Sequence, residues 1–161
     1  MSVEGDFQPV LDVLAGIEDR LAHPAPVFLG PVTDAIRDLW TKRFASGGIY
    51  GGDAWAELSE ETLRRRGDEL NEDVLVHTGI LRESLTQRDT LTGYAEMLDE
   101  QTLAVGTTDP AGVFAELGTR HEPRRQVTPE VIPDVDLDRV TGLVVGYLVD
   151  GELAPGSLDM L

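Results

Sequence analysis

The sequence predicts an α+β fold in a single domain, with N-terminal helices, a small antiparallel sheet built on a hairpin, and a C-terminal helix. Three observations carry that prediction. Apolar residues recur at steps of three and four from Phe7 to Leu21, and again from Val32 to Phe44. A period of two appears around Leu103 and Val105. After Asp134 the spacing returns to three and four. At 161 residues the chain is long enough for one domain with a real core. It divides into N-terminal helices (7–45), a glycine-rich loop (46–54), a mixed α/β core (55–150) and a loosely ordered tail (151–161).

The first helix covers 7–22, with Phe7, Val10, Leu11, Leu14, Ile17 and Leu21 as its stripe. Asp6 is placed to cap its start, and His23-Pro24-Ala25-Pro26 ends it. A second helix covers 32–45, with Val32, Ile36, Leu39, Trp40 and Phe44 on one side and Ser46-Gly47-Gly48 as the stop. Four glycines around Ile49-Tyr50 then imply a flexible or tightly turning loop, which Trp55 and Leu58 pin to the core. Ser59 reads as an N-cap, with Glu60 and Glu61 in the first turn and Arg64, Arg65 and Arg66 in the last.

From Val74 to Thr90 the character changes. Gly79 lies between two apolar patches, and Leu81, Ser84 and Leu85 lead into a β-like stretch. A hairpin is expected from Thr92 to Thr108, with strands Tyr94–Leu98 and Gln101–Gly106 joined at Asp99-Glu100. The first strand could equally be a helical turn. Asp109-Pro110 opens a short helix that Gly118 closes, with Phe114 and Leu117 assigned to the core. Thr128-Pro129 and Ile132-Pro133 break regular structure. The segment Asp134–Asp150 is read as helix in preference to strand, although its β-branched residues and Gly142 and Gly146 allow either.

Charge is the unusual total: 30 acidic against 13 basic residues, net −17. Such a surface repels nucleic acid and anionic membranes. Lys42 is the only lysine. GC-rich coding and adaptation to high salt, as in a halophilic host, are the two readings of that bias. No apolar run of about 18 residues is present, so no transmembrane helix is expected. The acidic start MSVEGDFQP is not expected to act as a secretory signal. With no cysteine, disulfides and thiolate metal sites are excluded.

Catalytic signatures are missing. His23, His77 and His121 form no HxxxH or HExxH pattern, no GxSxG elbow occurs, and GGIYGG lacks the Lys-Ser/Thr of a phosphate loop. His121-Glu122 offers two ligands and would need a third from elsewhere. No catalytic, cofactor-binding or metal-binding residue is therefore assigned, and no enzyme activity is expected. Against the acidic background, Arg120, Arg124 and Arg125 stand out as an island of positive charge.

Three segments, in order, carry a family resemblance. GGIYGGDAWAELSEETLRRR combines a glycine-rich loop with Trp55, a Leu58-Ser59 pair, Thr62 and basic residues. LVHTGILRESL has the form L-x-x-T-G-x-L-x-x-S-hydrophobic, through Leu75, Thr78, Gly79, Leu81, Ser84 and Leu85. AVGTTDPAGVFAELGTRHEPRR ends a Val-Gly strand, then gives Phe114-Ala115, Gly118-Thr119 and a Pro-Arg turn. Over roughly residues 40–148 the chain resembles the tailed-phage virion morphogenesis proteins, which include Mu-type and lambdoid neck and tail-completion proteins. It departs from them in having Phe114 where Tyr is usual, and Pro123-Arg124-Arg125-Gln126-Val127 where the family ends in a Pro-Ala-Arg-Pro-Phe type of sequence.

The resemblance implies a non-enzymatic structural protein of the virion, made in the host cytoplasm and placed at the head-tail junction. Its partners would be copies of itself in a ring, commonly hexameric, with neighbouring neck, connector and tail proteins. Genomic DNA would pass through the lumen without specific binding, and no membrane is involved. The arginine loop is expected to be exposed and to contact a neighbouring subunit through Arg120, Arg124 and Arg125. The loop carrying Ile49 and Tyr50 is expected to order on assembly. The competing readings are an acidic adaptor, DNA-mimicking or antitoxin-like, with a basic protein partner, and a small hydrolase using His77 and His121.

Overall fold

The structure, a computed structural model, describes residues 7–66, 74–76, 78–120, 123–151 and 153; of residues 65 and 66 it describes the backbone. The expected positions of Asp6, His77, His121 and Glu122, and most of the tail from 152 onward, lie outside the described residues.

Helix α1 (Gln8–Ala22) begins at Phe7 without a side-chain cap, with Pro9 in its first turn. The amphipathic stripe forms as expected, but no residue of α1 is buried. Helix α1 is tied down near its C-terminal end. Arg20 Nε donates to the Leu148 carbonyl at 2.8 Å and Nη2 to the Val149 carbonyl at 3.2 Å, while Tyr147 Oη donates to the His23 carbonyl at 3.0 Å. Pro24 ends α1 and starts a new helical segment, because proline tolerates a first turn whose N–H groups need no partner. This segment runs through α2 (Ala25–Val27) and a π-helical stretch (Phe28–Val32) into α3 (Thr33–Ala45). Gly30 and Pro31 produce the kink between them.

Helix α3 is the central element. Its Trp40 packs with Leu81, Leu85, Ala115 and Val127 in one cluster, and Val32, just before it, packs with Val27 and Tyr147 in a second. Ile36 touches both clusters. After the glycine loop, α4 (Glu60–Arg66) starts as expected, with Ser59 Oγ accepting the Thr62 N–H at 3.2 Å.

Leu81, Ser84 and Leu85, read from sequence only as leading into a β-like stretch, lie in a helix of their own, α5 (Ile80–Thr86). Leu81, Ser84 and Leu85 stand at positions i, i+3 and i+4, which is helical spacing, and all three are buried. Gly79 leads in with φ +81°, a backbone state favouring glycine.

Strands β1 (Gly93–Met97) and β2 (Leu103–Thr107) form the expected antiparallel hairpin, with Gly93 opposite Thr107 and Met97 opposite Leu103. The Asp99 carboxylate closes the turn by accepting from the Gln101 N–H and Thr102 Oγ1, both at 2.8 Å. Those bonds, led by the one from Gln101, hold its pKa below the usual range.

Helix α6 (Pro110–Leu117) is capped by Asp109, whose side chain accepts the Ala111 N–H, and ends at Gly118 with φ +71°. Its orientation corrects the expectation from sequence. Phe114 is 59% and Leu117 76% exposed, while Ala115 is buried. Helix α6 lies so close to its neighbours that a Cβ at Gly112 would stand 3.1 Å from Thr107 Cγ2, so small residues must face inward.

The segment Asp134–Asp150 is helix α7, ended by Gly151 at φ +72°. Its Val140, Leu143, Val144 and Leu148 join the second cluster, together with Leu153. Among the described residues, no helix is long and apolar enough to cross a membrane.

Candidate functional site

The described part of the arginine loop from residue 123 to 131 crosses the glycine loop, 47–52, and one side chain fastens both. Arg43 projects from α3 and is only 1% exposed. Its Nη1 donates to the carbonyls of Gly48 and, at 2.8 Å, Tyr50. Its Nη2 donates to the Gln126 carbonyl at 2.7 Å, and Nε reaches the same oxygen at 3.3 Å. Burial pushes the guanidinium pKa down, while the charges of Glu116, Glu130 and Asp53 push it back up.

Trp55 completes the joint. Its Nε1 donates to the Gln126 carbonyl at 2.8 Å, its ring meets Phe44 edge-on at 5.1 Å, and Arg43 lies 5.9 Å from the ring centre. The Trp55 N–H donates to the Gly47 carbonyl at 2.7 Å. In the structure the glycine loop thus packs against Arg43 and Trp55 of its own chain. Its glycines permit this packing: a Cβ at Gly48, which has φ +95°, would come within 2.6 Å of the Trp55 ring. Ile49 is exposed. Tyr50 is half-buried instead, and its Oη donates to Asp136 at 2.6 Å.

The three arginines do not share one role. Arg120 and Arg124 are exposed. Arg124 lies back along α6, with Nε donating to the Glu116 carbonyl at 2.8 Å and Nη2 to Gln126 Oε1 at 2.7 Å. Arg125, expected to be exposed, is 6% exposed. Its Nε donates to the Ala56 carbonyl at 2.8 Å, Nη2 to the Glu57 carbonyl at 3.0 Å, and its backbone N–H to the Ala115 carbonyl at 2.8 Å. Consecutive side chains of an extended segment point to opposite sides, so one member of the Arg124-Arg125 pair turns inward.

The remaining motif residues do structural work in the same neighbourhood. Ser84 Oγ lies 2.8 Å from both the Leu81 carbonyl and Thr107 Oγ1, linking the TGxLxxS segment to the VGT strand. Thr78 Oγ1 accepts the Ile80 N–H at 3.4 Å, and Thr119 is exposed.

Beside this joint, Asp136 of α7 accepts from Lys42 Nζ and Tyr50 Oη, both at 2.6 Å. Burial pushes the Asp136 carboxyl up, but those hydrogen bonds and the Lys42 charge outweigh it and hold the carboxyl below its usual value. The hydrogen bond to Asp136 raises both Lys42 and Tyr50. Sequence reasoning passed over Arg43 and Asp136. Arg43 was detectable, since it stands seven residues after Ile36 and three after Trp40, on the helix side that carries the core.

No family model, curated protein or solved structure matches the chain.

Among the described residues, no group of three or more His, Asp or Glu side chains is gathered closely enough to hold a metal ion. The side-chain donors of Arg43, Trp55 and Arg125 described here meet backbone carbonyls of the chain itself. The arrangement fixes the relative position of α3, α6 and the two loops, and it presents Ile49, Arg120 and Arg124 outward.

Proposed function

We propose that this chain is a structural protein of a tailed virion's head-tail junction, serving as a neck, tail-completion or tail-terminator subunit. In this reading it assembles with copies of itself into a ring around the DNA channel, six copies being the number the resemblance implies. The ring joins the tail to the filled capsid and contacts neighbouring connector and tail proteins.

What supports the reading is how the three resembling segments are used. Arg125 binds the first segment to the third, Trp55 bonds to Gln126 just beyond it, and Ser84 and Leu81 bind the second to the third. Residues separated widely in sequence thus build one rigid joint from backbone carbonyls and packed side chains, the construction expected of a subunit that holds register. Net charge of −17 suits the role, because a lumen lined by carboxylates repels passing DNA and lets it slide.

Deletion of the gene from its phage is expected to leave filled heads and separate tails; joined, infectious particles from the deletion would refute the reading. The same negative charge favours one alternative, an acidic adaptor that mimics DNA toward a basic protein. That alternative requires a basic partner and no association with virions, so mass spectrometry of purified particles separates the two.

A further inference from the structure

The hairpin is a sheet of two strands, so each strand has an outer row of backbone groups. The Leu98 N–H donates to the Thr102 carbonyl and the Thr108 N–H to the Thr92 carbonyl, which fixes the residues that bond inward. With the observed register, Leu103, Val105 and Thr107 then aim their N–H and C=O groups away from β1. Among the described residues, none of these groups has a backbone partner. Beside this row runs a groove of about 280 Å³. Strand β2 forms one bank from Val105 to Thr107, Val113 and Leu117 of α6 stand on the other, and buried Trp40 and Leu85 lie between them. The outer row of β1 is closed at its start, where a Cβ on Gly93 would collide with the Ser84 carbonyl oxygen.

We propose that an extended segment of another protein, aliphatic on one side and basic on the other, adds to β2 as a third strand along this groove. A row of N–H and C=O groups at strand spacing calls for an extended main chain, because a helix has already bonded its own. Every second side chain of an added strand turns to the same face, so alternate residues enter the groove. An apolar cavity of about 150 Å³ holds a benzene ring, so this groove has room for aliphatic side chains at those positions. Val113 and Leu117, each more than half exposed, would lose water on contact with them.

Charge selects the occupant. From Asp89 to Thr119, the stretch that holds both strands and α6, the chain has six carboxylates and no basic residue. Asp99 and Glu100 stand at the turn before β2, Asp109 follows it, and Glu116 lines the groove. Glu96, exposed on β1, lies opposite Ala104. Lysine or arginine on the outward side of the added strand meets this negative field, whereas an acidic strand is repelled. A second copy of the chain, at net −17, is disfavoured for the same reason. The pairing goes beyond the junction reading and does not rest on it, since a junction subunit and an adaptor could use the same edge.

The test titrates the full chain with the peptide acetyl-Lys-Val-Lys-Val-Lys-amide, followed by amide NMR. A Kd below about 1 mM is expected, with shifts at Val105, Thr107, Val113 and Leu117 and slowed exchange of the Val105 amide. Two analogues, N-methylated on the backbone at every second residue in opposite phases, keep the charge of the parent. The one whose methyl groups block the bonding row should lose at least about 10-fold in affinity, and the other should not. Acetyl-Glu-Val-Glu-Val-Glu-amide should fail to bind at about 1 mM. Val113→Lys should weaken the lysine peptide at least about 10-fold while leaving the thermal melt in place. A lysine peptide that leaves these amides unshifted at about 1 mM overturns the proposal. Loss in both methylated phases, or in neither, also overturns it, the latter showing attraction by charge alone. Concentration-dependent shifts at the same amides without peptide would assign the groove to a second copy. A Val105 amide already protected in the free chain would assign the edge to the chain itself, and either result overturns the proposal.

Discussion

Replacing Arg43 by methionine tests the joint at its centre. Methionine keeps much of the apolar stem and removes the guanidinium, so the change leaves little cavity. The Gly48 and Tyr50 carbonyls then lose the donor they share, while the Gln126 carbonyl keeps Trp55 Nε1. An acceptor orphaned in a buried setting costs about 1–3 kcal/mol. Removing a buried charge that has no carboxylate in contact returns part of that, because its desolvation is relieved. The net loss expected is about 2–4 kcal/mol, a large share of the roughly 5–15 kcal/mol that stabilises a typical domain. In urea this corresponds to a midpoint lower by about 1–2 M, taking a slope near 2 kcal/mol/M. Arg43→Lys should lose about half as much, because one ammonium cannot span Gly48 and Tyr50 on one side and Gln126 on the other. A methionine variant within about 0.5 kcal/mol of wild type would show that the two loops are held by something else.

The arginines of the loop should separate by burial. Arg125→Glu places a carboxylate against the Ala56 and Glu57 carbonyls and is expected to cost 3 kcal/mol or more, roughly the penalty of an uncompensated buried charge. Arg120→Glu with Arg124→Glu should leave the monomer within about 1 kcal/mol and weaken assembly, as read by sedimentation. Asp136 contributes stability that is fully present above about pH 4, its unfolded value, and is lost as pH falls through its lowered folded value. Asp136→Asn should therefore flatten the acid limb of a stability–pH curve. Lys42 and Tyr50 are raised, so their contribution holds below about pH 10 and fades as pH climbs through their folded values. Ser84→Ala should cost about 1 kcal/mol in a thermal melt, since a fully buried hydroxyl within hydrogen-bond reach of two oxygens is lost. Melting in molar salt distinguishes the origins of the negative charge: a rise in melting temperature supports salt adaptation, and a fall removes it.

Much of the fold was legible because local signals agreed with one another. The hairpin followed from alternation plus Asp99 at its turn, and α6 followed from Asp109-Pro110 at one end and Gly118 at the other. Helix α7 formed despite its valines because its apolar spacing meets the second core cluster along its length. Which side a helix turns inward was less legible. In α6 the large residues Val113, Phe114 and Leu117 suggested a core face, yet close approach to Thr107 and Leu81 required Gly112 and Ala115 there. Helix α5 was missed since its apolar patch is short, and short patches do not distinguish period two from period 3.6. Of the candidate site, the arginine loop and Trp55 were visible as composition. The inward turn of Arg125 was not, because it depends on the Ala56 and Glu57 carbonyls, nearly seventy residues earlier in the chain.

Imaging purified phage particles with this subunit labelled tests the central claim most directly. The account predicts label in a ring between the capsid vertex and the tail tube, surrounding the DNA channel. Label elsewhere on the particle, or particles that carry none, would contradict it.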